Sequence, residues 1–282
     1  MNAILLISII LGVSLQSIIK KPYSQKTSGK GAFIFSALSS LAAMLFFVAT
    51  SKGFEWHAEI IPYAIGFALS YGAATVFSVL AIATGSLSLT ALFVSFSLMI
   101  PTFYGLIFLN DPVSIGLVPG LVLLAVSLVL INLKSDSVKI TPKWLLFVFL
   151  AFVGNGMCST VQKMQQSAFD GNFKNEFMII ALFMVFAGFI VLSLFTESKD
   201  IKSCAKVGWY LALGCGVMNG IVNLFVMILS GKMPVSLMFP LISAGGIVIT
   251  YLVSRFVYKE KLTKTQLVGF ALGLGSVVFL NI

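Results

Sequence analysis

Amide and hydroxyl side chains recur at helical spacing inside the apolar stretches of this 282-residue sequence. In the sixth stretch, Asn155 is followed by polar residues four, seven and eleven positions later, which places all of them on one face of a helix. Such groups both donate and accept hydrogen bonds, so they suit uncharged or zwitterionic solutes, which need no opposite buried charge. The candidate ligand-binding residues are Gln16, Tyr71, Asn155, Ser159, Gln162, Asn219, Asn223 and Ser243.

A purely structural role competes with this interpretation, because amides and hydroxyls also bond one membrane helix to another, at roughly 0.6–2 kcal/mol each. For any single Ser or Thr we favour that structural role. For the four carboxamides of the sixth and eighth stretches both roles stay open, because four such groups on two helices are more than packing alone requires. Lys163, near the end of the sixth stretch, is interpreted as an interfacial anchor in preference to a ligand.

Chemistry that needs charged or nucleophilic groups finds no support in the sequence. No Asp, Glu, Arg or His falls in the middle of a predicted span, and His57 lies in a loop. The three cysteines, Cys158, Cys204 and Cys215, have no metal-binding or redox spacing. We therefore predict no catalytic residues, no metal and no cofactor, and we do not expect coupling through a membrane-embedded carboxylate.

The elements that must position the polar residues are membrane helices. Apolar residues make up 59% of the chain, charged residues make up 10%, and the mean hydropathy is +1.07, values that exclude a soluble globular domain. The apolar runs are long enough to cross about 30 Å of hydrocarbon at about 1.5 Å per residue. We predict an all-α membrane protein with ten transmembrane helices, at residues 3–19, 32–50, 60–82, 87–109, 113–133, 144–162, 177–195, 207–229, 235–258 and 267–280.

Basic residues orient the predicted helices in the membrane. The odd-numbered loops carry 14 Lys and Arg residues, and the even-numbered loops carry four. By the positive-inside rule the odd-numbered loops face the cytoplasm, so both termini are predicted on the outer side of the inner membrane. The net charge of +9 is spread over the loops and forms no basic helix, so we expect no nucleic-acid partner.

The two halves of the chain resemble each other at a constant offset. With a shift of 149 residues, Asp111 falls on Glu260 and Gly120 falls on Gly269 without a gap. We therefore predict two five-helix repeats, residues 1–133 and 144–282, joined by a cytoplasmic linker at residues 134–143. Because five is an odd number, the second repeat must be inverted in the bilayer relative to the first.

The end of each half resembles the EamA-type transporters of the drug/metabolite transporter superfamily. In both halves a proline-containing helix leads to an acidic residue, then to a hydroxyl residue and then to a final helix that carries glycine. The matching residues are Pro101, Asp111, Ser114 and Gly120 in the first half, and Pro240, Glu260, Thr263 and Gly269 in the second. The first half departs from the family at Asn110 and Asp111, where a Gly-Glu pair is common.

This resemblance implies both a fold and a function. The fold would enclose a central cavity lined mainly by helices one, three, four, six, eight and nine, with helices five and ten at the periphery. The function would be secondary transport of a small polar metabolite, such as an amino acid, by alternating access, and we expect export. A non-transporting partner subunit or a lipid-carrier flippase of the same fold is the alternative.

Six of the matching residues are expected to have structural or gating roles. They are Pro101, Asp111, Gly120, Pro240, Glu260 and Gly269. We interpret the two acidic residues as helix caps or loop ties in preference to gates. Gly120 lies four residues after Gly116 and Gly269 lies four residues before Gly273, and this spacing permits close packing of helices. We favour packing within the fold, with a homodimer through helices five and ten as the weaker alternative.

Overall fold

The computed structural model describes residues 2–51, 53–84, 90, 93–94, 96–113, 115–132, 141–256 and 263–280. Within these residues the chain forms ten α-helices of ten residues or more and a short 3-10 helix at Ala58–Ile60. The α-helices are α1 (Asn2–Lys26), α2 (Ala32–Thr50), α3 (Ile61–Thr84), α4 (Met99–Phe108), α5 (Leu117–Asn132), α6 (Pro142–Ala168), α7 (Lys174–Thr196), α8 (Ile201–Ser230), α9 (Val235–Phe256) and α10 (Lys264–Leu280).

Six helices in the described part of the chain are long and apolar enough to cross a membrane by length and composition. They contain the segments Asn2–Lys20, Ala32–Thr50, Ala58–Ala81, Pro142–Ala168, Lys174–Thr196 and Ile201–Ser230. Three shorter apolar helices are Met99–Phe108, Leu117–Leu130 and Val235–Gly246. The predicted class, a multi-pass helical membrane protein, is therefore confirmed. The count of ten spans and the inversion of the repeats stay predictions.

The sixth helix begins two residues earlier than the sequence analysis predicts, at Pro142. Thr141 caps it, because the backbone N–H of Trp144 donates to the Thr141 Oγ1 over 3.2 Å. Pro142 occupies the first helical position, where a missing N–H costs nothing. Residues 142–143, the end of the predicted linker, are therefore the first turn of α6.

The first helix continues past its predicted end at residue 19 and reaches Lys26. Its last turns are tied to other segments. The Tyr23 hydroxyl donates to the Gly31 carbonyl oxygen over 2.6 Å, and the Lys26 Nζ donates to the Tyr210 hydroxyl over 2.6 Å. Burial raises the pKa of Tyr23 well above its usual value, so its hydroxyl stays a donor at neutral pH.

The fourth predicted span, residues 87–109, is interrupted within its described part. Residues 97–98 form a turn, and α4 begins at Met99. Pro101 has no N–H to donate to the carbonyl oxygen of Ser97, and this oxygen accepts from the Ile100 N–H over 3.0 Å instead. A long apolar run is therefore not a single helix here, because a proline in the run removes one hydrogen bond of the helical ladder.

The chain divides into two compact units. The first consists of Ala3–Gly72 and Val161–Gly231, and the second consists of Ala73–Thr160 and Lys232–Ile282. The divisions at residues 72 and 160 fall inside α3 and α6, so each of these helices contributes to both units. Each unit also takes helices from both predicted repeats. Packing therefore groups the helices differently from a simple cut along the chain.

In the first unit, α2 packs along both α7 and α8. Gly216 permits the close approach of α8 to α2, because an added Cβ would lie 2.6 Å from the Ala42 Cβ and would also meet the Ser39 carbonyl oxygen. The N-terminus of α2 is held by Glu197, whose carboxylate oxygens accept from two backbone N–H groups of the first turn over 3.1 and 3.0 Å. A negative charge also suits the positive end of the helix dipole.

In the second unit, α5 packs along α10, and α9 packs against α10, α4 and α5. Gly120 and Gly269 are buried on α5 and α10. The glycines four residues away from them, Gly116 and Gly273, are also buried. Packing through these glycines within the fold stays a prediction.

We expect Gly216→Ala to destabilise the first unit, because the Ala42 Cβ and the Ser39 carbonyl oxygen occupy the space of the new methyl group. Overpacking of this kind costs roughly 1–3 kcal/mol. Gly188→Ala in α7 is the matched control, since an added Cβ there meets nothing within 4 Å. Thermal unfolding in detergent should show a lower midpoint for Gly216→Ala alone. Equal midpoints for the two variants would contradict the close contact between α2 and α8.

Candidate functional site

Four carboxamide side chains of the first unit form one hydrogen-bonded series, which we call the amide chain. The Gln162 Nε2 donates to the Asn223 Oδ1 over 2.7 Å. The Asn223 Nδ2 donates to the Asn219 Oδ1 over 2.9 Å, and the Asn219 Nδ2 donates to the Gln16 Oε1 over 3.3 Å. The amide chain therefore joins α6, α8 and α1, and it contains half of the predicted ligand-binding residues.

Helix geometry and one glycine bring the amide chain together. Asn219 and Asn223 lie one turn apart on α8, so their side chains share a face. Gly12 lets α1 lie close to α8, because an added Cβ would be 2.5 Å from the Val222 Cγ2. Gln16 follows Gly12 by one turn on the same face of α1 and therefore reaches Asn219.

The amide chain is neutral throughout, and its two end residues are more buried than its two middle ones. Gln16 is 9% exposed and Gln162 is 3% exposed, whereas Asn219 and Asn223 are half-buried. The Gln162 Nε2 also lies 3.8 Å from the sulfur of Met178. Carboxamides do not titrate in water, so the amide chain supplies donors and acceptors whose number does not change with pH.

Lys163 lies next to the amide chain in the sequence, within α6 and before its last turn. Its Nζ donates to the carbonyl oxygen of Ser230, the last residue of α8, over 2.7 Å. A cation is favourable there because the last carbonyl groups of a helix carry partial negative charge. The contact joins α6 to the end of α8. The sequence analysis predicts only a general anchoring role for Lys163 and not this partner.

In the second unit, Asn155 of α6 bonds to the turn that precedes α4. Its Nδ2 donates to the Ser97 Oγ over 2.6 Å, and this hydroxyl donates to the Val94 carbonyl oxygen over 2.6 Å. The next residue, Gly156, permits the contact, because an added Cβ would lie 2.7 Å from the Ser97 carbonyl oxygen. Sequence reasoning missed Ser97, although Pro101 signals a break four residues before it.

Tyr71, the predicted ligand-binding residue of α3, belongs to the first unit. It is half-buried, and its ring centroid lies 5.9 Å from that of Phe67 and 6.2 Å from that of Phe189. These separations are typical of aromatic pairs that stabilise helix packing. The ring therefore has a packing role, to which a role in binding would be additional.

Ser159 and Ser243 belong to the second unit. Both are half-buried, Ser159 on α6 and Ser243 on α9. Ser243 borders a small recess that Thr102 and the buried Pro240 also line. The structure thus brings four of the predicted residues together in the amide chain and places Asn155, Ser159 and Ser243 in the other unit.

Asp111 ties the loop after α4 to the start of α9. Its Oδ2 accepts from the backbone N–H of Ser236 over 3.0 Å, in the first turn of α9. Its own N–H donates to the carbonyl oxygen of Gly105 over 3.1 Å, and Gly105 leaves room for the carboxylate beside α4. These two hydrogen bonds hold the loop after α4 against the start of α9.

The matching motif of the second half is described only in part. Glu260 lies outside the described residues. Thr263 caps α10 reciprocally with Gln266. The Thr263 N–H donates to the Gln266 Oε1 over 3.0 Å, and the Gln266 N–H donates to the Thr263 Oγ1 over 3.3 Å. Sequence reasoning missed this cap, although the Thr-x-x-Gln spacing is its usual signal. Pro101 is buried in the first turn of α4.

The fold and the site define a multi-pass helical membrane protein in which polar groups of apolar helices bond across the helix interfaces. Residues 142–282 match the EamA-like transporter family, and the chain belongs to this family, which is part of the drug/metabolite transporter superfamily.

A solved structure titled only "Crystal structure of protein" has a similar fold, with a TM-score of 0.80 and 13% sequence identity. The match covers 99% of this chain and 95% of that chain. Significant structural similarity extends to 28 solved chains. No curated protein matches the sequence significantly.

We expect Asp111→Ala to destabilise the second unit by roughly 0.5–2 kcal/mol, the usual cost of removing a helix cap. The N–H of Ser236 loses its acceptor in this variant. Asp111→Asn is the matched variant, because its side-chain oxygen can accept the same bond. In thermal unfolding of the purified protein the Ala variant should melt below the Asn variant. If the two variants melt together, the Asp111 side chain does not hold the start of α9.

Proposed function

We propose that this protein is a secondary transporter of the inner membrane that moves a small polar metabolite, either uncharged or zwitterionic. The amide chain carries the proposal, because it places neutral donors and acceptors from three helices in one series. Neutral amides can bind such solutes through hydrogen bonds without burying an unpaired charge. Membership of the EamA-like transporter family supports the same function.

The mechanism we propose is alternating access between two inverted halves. Its support is that several packed pairs hold the same position in the two predicted repeats, namely α2 with α7, α4 with α9 and α5 with α10. Pairing of equivalent helices is expected for repeats related by a two-fold axis.

For the second function, a non-transporting partner subunit or a lipid-carrier flippase of the same fold, one observation favours the flippase. The second unit has an apolar cavity of about 240 Å³, of a kind that accepts a hydrocarbon chain. Co-purification with a fixed partner, or a defect in envelope synthesis after deletion of the gene, would favour this second function. The residues lining the cavity are Phe93, Phe96, Leu145, Val148, Phe149 and Phe152.

We expect Asn219→Leu and Asn155→Leu to lower solute flux about tenfold or more, because each removes a proposed ligand together with its hydrogen bond across helices, a loss of about 1–3 kcal/mol. Flux would be measured in proteoliposomes, over a panel of amino acids, nucleosides and sugars. Ser193→Ala is the control, since this buried hydroxyl donates within its own helix, to the Ile190 carbonyl oxygen over 2.9 Å. Unchanged flux in both amide variants, with normal insertion, would remove the site assignment. Faster accumulation of the solute in inside-out vesicles than in right-side-out vesicles would support export.

We propose that both termini face the outer side of the membrane, because the basic residues concentrate in the odd-numbered loops. A reporter enzyme that is active only outside the cytoplasm should be active when fused after residue 282 and inactive when inserted at residue 136 of the predicted linker. A fluorescent protein that folds only in the cytoplasm should show the reverse. The same compartment for both fusion points would contradict the proposed topology.

A further inference from the structure

The amide chain has a fixed direction. The oxygen and nitrogen of a carboxamide have nearly the same shape, so the direction of its hydrogen bonds needs an independent reference. The backbone of α8 provides one, because the Asn223 Nδ2 lies 2.8 Å from the carbonyl oxygen of Asn219, and a carbonyl oxygen only accepts. The amino group of Asn223 must therefore point at the backbone, which leaves its Oδ1 for Gln162.

The orientation of the other three amides follows from this reference. Since Asn223 presents an oxygen to Gln162, Gln162 must present its amino group. Since the Asn223 Nδ2 also donates to the Asn219 side chain, Asn219 presents its oxygen there and its amino group to Gln16. All four amides thus donate in one direction, from α6 toward α1. Flipping any one of them would break a hydrogen bond.

A fixed direction makes the two ends of the amide chain chemically different. Gln16 accepts through its Oε1, so the group left at the α1 end is its Nε2, with two N–H donors. Gln162 donates through its Nε2, so the group left at the α6 end is an acceptor oxygen. Amides that donate head to tail polarise one another, which strengthens the donor at the α1 end.

A positive charge lies near the donor end. Lys20 follows Gln16 by one turn on α1, so the two residues share a face of the helix. The Gln16 end therefore has two N–H donors, and an exposed lysine follows it by one turn on α1.

We propose that the Gln16 end of the amide chain binds the carboxylate of the transported solute and selects solutes that carry one over their amides. This assignment rests on the proposed function and specifies one chemical group of its substrate. Hydrogen bonds from N–H donors to an anionic oxygen are about twice as strong as neutral ones. The Lys20 ammonium adds attraction for the same group. The acceptor oxygen of Gln162, at the far end, repels a carboxylate.

Gln16→Glu tests the ligand assignment. A carboxylate at position 16 still accepts from the Asn219 Nδ2, but it has no N–H donor and repels the carboxylate of a solute. We expect a smaller fall in the unfolding midpoint than for Gln162→Glu. The ratio of proteoliposome flux of the L-amino acids to that of their primary amides should fall about tenfold or more relative to the wild type.

Gln162→Glu is the matched variant for the direction of the amide chain. A carboxylate at position 162 cannot donate to the Asn223 Oδ1, so two acceptors would face each other. We expect a lower unfolding midpoint for this variant than for Gln16→Glu. If the unfolding midpoint falls equally in the two variants, or falls further in Gln16→Glu, the proposed direction of donation along the amide chain is wrong.

The two readouts separate failure of this assignment from failure of the transport function. If the wild type moves amino acids and Gln16→Glu lowers the flux of acids and amides equally, the carboxylate assignment is wrong and transport stands. If the wild type moves neither class, both proposals fail. Where Gln16→Glu does not insert, Gln16→Met removes the donor without adding charge. It should abolish the preference for acids over amides, and a retained preference overturns the assignment.

Discussion

Polar side chains in apolar membrane helices must find hydrogen-bond partners within the protein, because hydrocarbon offers none. Hydroxyls meet this requirement on their own helix, as when the Ser14 Oγ donates to the Ile10 carbonyl oxygen over 2.9 Å. A carboxamide has both a donor and an acceptor, and one helical turn satisfies only the donor, as Asn223 shows with the Asn219 carbonyl. The remaining groups bond across helices, and this requirement joins α1, α6 and α8 at the amide chain.

Such bonds form only where helices approach more closely than large side chains permit. Gly12 provides this approach one turn before Gln16, and Gly156 provides it next to the bond from Asn155 to Ser97. Close packing and polar bonding are therefore coupled at these positions. A methyl group at either glycine would separate the helices and weaken the polar contact together with the packing.

Helical spacing was enough to predict which amides share a face of α6 or α8, because that arrangement is local. It could not predict that Asn219 meets Gln16, 203 positions away, since contacts between helices leave only a general signal of small residues in the sequence. Pro101 indicates a break in the helix near Ser97. The apolar run is long enough for a complete span, however, and the sequence analysis therefore predicts a single helix there. The compact units were not predictable, because the sequence shows the order of helices and not their packing partners.

A solute shifts a conformational equilibrium only through contacts that differ between the two states. The amide chain can supply such a difference, because its bonds are in series and each polarises the next. On the proposed assignment, a carboxylate bound at Gln16 strengthens the bonds that run through α8 to Gln162 on α6. Solute binding would therefore stabilise the state in which the amide chain is intact. The amide chain ends on α6, which contributes to both compact units. On this proposal, binding at α1 would be coupled to α6, and the proposed alternating access needs a coupling of this kind.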